Sequence, residues 1–185
     1  MILFWGFVLG LPLLAFGGAA LFFNRGANRF LDWYRTARAV AIPLTVVGWF
    51  WTAYECHTIG IDVFDMLLKR FPGQLWIMAA VLSYLTIIWM PKNLPVRALT
   101  GILMLLPAEL FKTTRTLVPA SGFGLVHLFV VTAYVGAVIG MYGMFYPWRL
   151  EKGMRLVQDS RFGLRLLGAV CIVWGAALIA AGFAL

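Results

Sequence analysis

Unbroken apolar runs alternate with short polar segments along this chain. The runs cover about 1–23, 39–61, 74–90, 97–112, 124–146 and 163–184. A helix rises 1.5 Å per residue, so about 20 residues cross a bilayer's hydrocarbon core. In lipid the backbone must satisfy its own hydrogen bonds, which leaves helices or closed barrels. Barrel strands alternate apolar and polar positions, and these runs do not, so the pattern predicts helices. The expected architecture is an all-α polytopic membrane protein, a single integral membrane domain over 1–185 made of six spans. Spans three and four are short. Pro91 and Pro95 break the chain between them, and Pro107 is expected to kink the fourth.

Two of the polar segments carry a helical period of their own. Phe30, Trp33, Tyr34 and Ala37 recur at i, i+3, i+4 and i+7, with Arg25, Arg29, Asp32 and Arg35 off that stripe. Leu150, Met154 and Val157 repeat in the same way, with Arg149, Lys152, Arg155 and Asp159 elsewhere. Each predicts a short amphipathic helix lying in the membrane interface, or a polar extension of the next span.

Charge then orients the bundle. Eleven basic residues fall in the segments after spans one, three and five, and four fall in the other two connections. The positive-inside rule places the basic segments, and with them both amphipathic helices, on the inner side and both termini outside. The first run lacks a basic leader and its arginines follow it, which predicts a retained N-out anchor rather than a cleaved signal. Overall, 63% of residues are hydrophobic and 12% charged, with a net charge of +8. No basic, aromatic-interleaved soluble segment is present to hold nucleic acid, so the charge is assigned to topology and to anionic lipids at the inner face. The expected location is a bacterial inner (cytoplasmic) membrane.

Trp5, Trp33, Trp76, Trp89 and Trp148 fall near run ends, as an interfacial aromatic belt does. Trp49, Trp51 and Trp174 fall deeper and are expected to pack or to face lipid. Gly6 and Gly10 form one GxxxG, and Gly136 and Gly140 another, extended by Gly143. Such spacing lets helices approach closely, either within the bundle or in self-association through Gly136/Gly140.

The chemistry-bearing residues gather at one depth. Glu55 and His57 lie near the outer end of span two, Glu109 near the outer end of span four, and His127 near the outer start of span five. Asp62 and Asp65 follow just above, with Lys112 and Arg115 facing them. Charged residues inside spans are costly and point to function. Three readings follow: His57 and His127 as an axial pair for a b-type haem, a quinone or small-solute pocket in which His and Glu move protons, or interfacial groups that pair with one another and with Lys112 and Arg115. Glu55 and His57 are about 200° apart around a helix, so only one of them faces the bundle. Cys56 and Cys171 lie at different depths, too far apart for a disulfide. CxxC, HExxH, GxSxG and phosphate-cradling motifs are absent from the sequence.

These features predict a non-catalytic integral membrane subunit or anchor of a larger membrane complex, with an electron-transfer complex carrying a quinone or haem near the outer leaflet as its sharper form. The alternative is a small-solute or ion transporter using Glu55, Glu109 and the histidines. The expected partners are the lipid bilayer and other membrane subunits.

Overall fold

The computed structural model describes residues 1–59, 73–115, 117 and 124–185. Asp62, Asp65, Lys69 and Arg70 lie outside the described residues. The described residues form eight helices: α1 (Ile2–Phe22), α2 (Asn24–Thr36), α3 (Arg38–Ile59), α4 (Gln74–Trp89), α5 (Leu94–Thr114), α6 (Val126–Phe145), α7 (Pro147–Asp159) and α8 (Arg161–Ala184). Five of them, α1, α3, α5, α6 and α8, are long and apolar enough to cross a membrane. At 16 residues α4 is apolar but shorter, about 24 Å of helix against a core near 30 Å. The chain is all-α, and these helices are consistent with an integral membrane protein. Their outward faces agree: Val138, Val173, Ile77 and Phe183 are each more than 60% exposed, a surface suited to acyl chains rather than water.

The helix ends follow local chemistry. Asn93 takes a left-handed conformation and caps α5, which its short polar side chain tolerates. Pro95 then sits in the first turn, where a missing N–H costs nothing. The helix therefore begins at Leu94 and runs to Thr114, longer at both ends than the expected 97–112. Ser160 caps α8, its Oγ accepting the Gly163 N–H at 3.1 Å.

Two seams hold the bundle. The most extensive packing is between α1 and α8, antiparallel and remote in sequence. Here glycine faces glycine. A Cβ on Gly17 would lie 2.6 Å from the Gly168 carbonyl oxygen, and one on Gly175 would lie 2.8 Å from that of Gly10. Gly6 and Gly182 meet in the same way further along. The backbones are in contact, and only glycine permits this. The second seam runs between α5 and α6. A Cβ on Gly140 would lie 2.7 Å from the Met104 nitrogen and 2.8 Å from the Thr100 oxygen, and Gly136 faces Leu103 and Leu106. The Gly136/Gly140 pair thus seats α6 on α5 within one chain, and that seam is already occupied inside the molecule. α5 packs on α3 as well as on α6, and α4 packs on α3.

The main core gathers Ile2, Leu106, Leu110, Val126, Phe129, Ala133, Leu178 and Ala181 from α1, α5, α6 and α8. A smaller cluster of Ala20, Ala27 and Leu164 fixes α2 beneath the α1–α8 pair. Polar ties cross between helices: Trp174 Nε1 donates to Thr132 Oγ1 at 2.9 Å, and Trp49 Nε1 to Thr86 Oγ1 at 3.1 Å. The deep tryptophans are hydrogen-bonded packing residues.

Connectivity gives the bundle two different ends. α2 and α7 join the ends of α1 and α6 to the starts of α3 and α8, and the Tyr34 hydroxyl donates to the Pro95 carbonyl at 2.9 Å, tying α2 to the start of α5. The far end carries the close of α3 and α5 and the start of α6.

Candidate functional site

Glu55 is placed by the last two turns of α3 on the side that meets α5. It is 3% exposed, while His57, two residues on, is exposed. This is the divergence that helical geometry requires. Buried carboxylates need partners, and Glu55 has two. Its Oε1 accepts from Trp51 Nε1 one helical turn back, at 3.1 Å. Its Oε2 accepts from the Lys112 ammonium at 2.7 Å, across the α3–α5 contact.

Lys112 gathers the rest of the cluster. Its Nζ also donates to Glu109 Oε1 at 3.2 Å, one turn back on α5, and to Thr58 Oγ1 at 3.2 Å on α3. The Thr58 hydroxyl in turn donates to the Glu55 carbonyl at 3.1 Å. The Tyr54 ring stands 5.8 Å from the same ammonium, within cation–π range. An ammonium has three donors, and each is used on a different acceptor. Two carboxylates share one ammonium, and Arg115 follows at the end of α5. The Lys112 side chain is 40% exposed and forms the cluster's open side, whereas Glu109 is 19% exposed.

The histidines stand apart from this network. His57 sits on the opposite face of α3 from Glu55. His127 is half-buried at the first turn of α6, with Nδ1 3.0 Å from the Gly124 backbone, where donor and acceptor roles depend on the tautomer. α3 and α6 each pack on α5 more than on each other. Of the four nominated residues the structure therefore joins Glu55 and Glu109, through Lys112, and leaves His57 and His127 outside the cluster. Both cysteines are free. Among the described residues no group of three or more His, Cys, Asp and Glu side chains is gathered as a metal site.

Trp51 and Thr58 belong to the cluster and were not nominated from sequence. Their signal is spacing: Trp51 and Thr58 lie four and three residues from Glu55, on its own face. At the other end of the bundle, burial pushes the Tyr34 phenol up to about 12, because the phenolate would lose its water. It remains a hydrogen-bond donor to Pro95.

Comparison of the chain with protein-family models, with curated proteins and with solved structures gave no match.

Proposed function

We propose that this chain is a non-catalytic integral membrane subunit or anchor, with six spans and with α2 and α7 on the inner face. α4 is the sixth span in this reading, short enough to lie upright or to thin the bilayer locally. The basic residues of α2 and α7 support the inner assignment, and the ends of α1 and α8 remote from these helices then lie outside. A bacterial inner membrane is the setting that suits this charge bias. The observation that carries the subunit reading is the closure of the polar cluster. All three donors of Lys112 are engaged by Glu55, Glu109 and Thr58, so the costly charges serve as a clamp between α3 and α5 rather than as groups held ready for a substrate. Native-membrane crosslinking followed by mass spectrometry tests it. Reproducible crosslinks to a second membrane polypeptide are expected; a chain that crosslinks to nothing and runs as a monomer in mild detergent overturns the subunit reading. A haem at His57 and His127 is read by the absorption spectrum of the same preparation. The exposed His57 would need a group brought by such a partner, and a spectrum without a Soret band removes haem.

A second reading, transport of a small solute or ion, rests on the two carboxylates that share one ammonium and on the cluster's open side at Lys112. Flux into proteoliposomes that falls on Glu109→Gln supports it. Absence of flux in the unaltered protein removes it.

A further inference from the structure

An apolar cleft of about 380 Å³ opens at the end of the bundle that carries α2 and α7. Five helices wall it, through Phe16 of α1, Leu31 of α2, Tyr142 of α6, Met154 of α7 and Leu167 of α8. Phe16 lies six residues before Phe22, the end of α1, and Leu167 six residues after Arg161, the start of α8. At 1.5 Å per residue both stand about 9 Å from those helix ends, so the cleft reaches from the headgroup level into the hydrocarbon. Phe30 and Trp33 of α2 and Trp148 of α7, each more than half exposed, mark that level.

Two observations say what the cleft takes. The first is a glycine that the fold does not require. Gly153 sits midway along α7 and lines the cleft. Glycine is the poorest helix former after proline. The glycines that join α1 to α8 are explained by the backbone pressed against them, but a Cβ on Gly153 would meet no atom of the chain within 4 Å. What the missing side chain leaves is room in the cleft. The second is charge. Arg149 lines the same cleft, its guanidinium 5.3 Å from the centre of the Tyr146 ring. Lys152 follows three residues on, on the same face of α7. The neighbouring Glu151 is taken by Arg155 at 2.7 Å, and among the described residues neither Arg149 nor Lys152 is in an ion pair. An apolar hollow with uncompensated cations at its rim is complementary to an acyl chain that ends in an anionic headgroup.

We propose that this cleft is a site for one acyl chain of an anionic phospholipid, with the phosphate at Arg149 and Lys152 beside it. The chain passes over Gly153, in the space that a larger side chain would take. Guanidinium matches phosphate with paired hydrogen bonds, and the ammonium of Lys152 adds charge rather than geometry. A rim with net positive charge favours a headgroup with net negative charge over a zwitterion, whose own ammonium offsets its phosphate. The inference narrows the expected contact with anionic lipid to one cleft. It rests on the membrane placement proposed above, and it stands whether or not the chain has a protein partner.

The test is native mass spectrometry of the delipidated full chain in detergent, titrated separately with dioleoyl phosphatidylglycerol and dioleoyl phosphatidylcholine. One retained phosphatidylglycerol is expected, bound about tenfold more tightly than phosphatidylcholine, as one or two interfacial cations provide. Arg149→Gln is expected to remove most of that preference. Gly153→Leu fills the hollow and is expected to weaken retention of both lipids about tenfold. Its melting temperature should equal or exceed that of the wild type, because leucine is the better helix former and meets no clash. Equal retention of the two lipids by the unaltered chain overturns the headgroup assignment, a comparison that needs no variant to fold. Retention that survives Gly153→Leu overturns the location, and a fall in melting temperature there overturns it too, by showing that the glycine serves the fold. A chain recovered from cells in the soluble fraction, before any delipidation, refutes the membrane placement instead, so the two failures are told apart.

Discussion

The two ends of this bundle treat buried polarity in opposite ways. At the close of α3 and α5, Glu55, Glu109, Thr58 and Trp51 are drawn onto one another by Lys112, and each donor of that ammonium finds an acceptor inside the chain. Ion pairs also form within α2, between Arg35 and Asp32, and within α7, between Arg155 and Glu151, yet Asn28 Oδ1, Arg35 Nη1 and Gln158 Nε2 are buried without a hydrogen-bond partner. A closed network stabilises one arrangement of helices; one with unpaired buried atoms stabilises its arrangement less. The depth of a charged residue therefore says less about its role than whether its neighbours complete it.

Four measurements break or sharpen this contrast. The largest effect belongs to Lys112→Met, which leaves Glu55 buried with a single neutral donor. Removing one partner of a buried ion pair costs about 3 kcal/mol, expected as a clear fall in melting temperature in detergent. Adding Glu55→Gln to that variant should recover most of the loss. A wild-type melting temperature for Lys112→Met would mean that the clamp holds nothing.

Next comes Tyr34→Phe, which removes the hydrogen bond to Pro95 and is expected to cost about 1 kcal/mol. Its pH dependence has a definite sign. The folded phenol titrates near 12 and the unfolded one near the ordinary 10, so the folded state holds its proton more firmly. That stability is complete below pH 10 and is lost as pH rises from 10 towards 12. Ultraviolet titration of tyrosinate in the wild type and in Tyr34→Phe should differ by one group ionising near 12; a difference near 10 contradicts the buried placement.

A smaller effect is expected for Glu109→Gln, about 0.5 kcal/mol, since a partly exposed pair one turn apart is weak. A loss as large as that of Lys112→Met would move the centre of the clamp from Glu55 to Glu109. Smallest of all is Arg35→Gln, within about 0.5 kcal/mol of the wild type. A large destabilisation there would show that the Arg35–Asp32 pair matters to the fold.

Much of the architecture was legible because lipid imposes a simple rule on sequence. Long apolar runs favour helices, and five of the six expected runs are found as helices long enough to cross a membrane, while the run at 74–90 forms the shorter apolar α4. The stripe of Phe30, Trp33 and Tyr34 likewise announced α2, with Phe30 and Trp33 turned outward and Tyr34 turned to α5. Helical angles alone separated Glu55 from His57. The pairing of α1 with α8 was not legible. Gly168, Gly175 and Gly182 repeat every seven residues, but a glycine face does not name its complement, and both helices had several candidate neighbours. The α5 start was misplaced because a proline read as a break is harmless in a first turn. The histidines were nominated on shared depth, a coordinate that leaves direction around the helix open. The cleft that α2 and α7 help to line depends on how two amphipathic helices are placed in space, which neither period contains.

The glycine seam has a consequence for how the chain is made. Gly17 and Gly168 stand about 150 positions apart, and ribosomes add roughly 5–20 residues each second. For something on the order of ten seconds the first helix waits in the bilayer with its bare backbone strip open to any passing helix, including that of a neighbouring nascent chain. The α1–α8 seam therefore closes only once α8 has been made, and a synthesis stalled before α8 leaves the glycine strip of α1 uncovered.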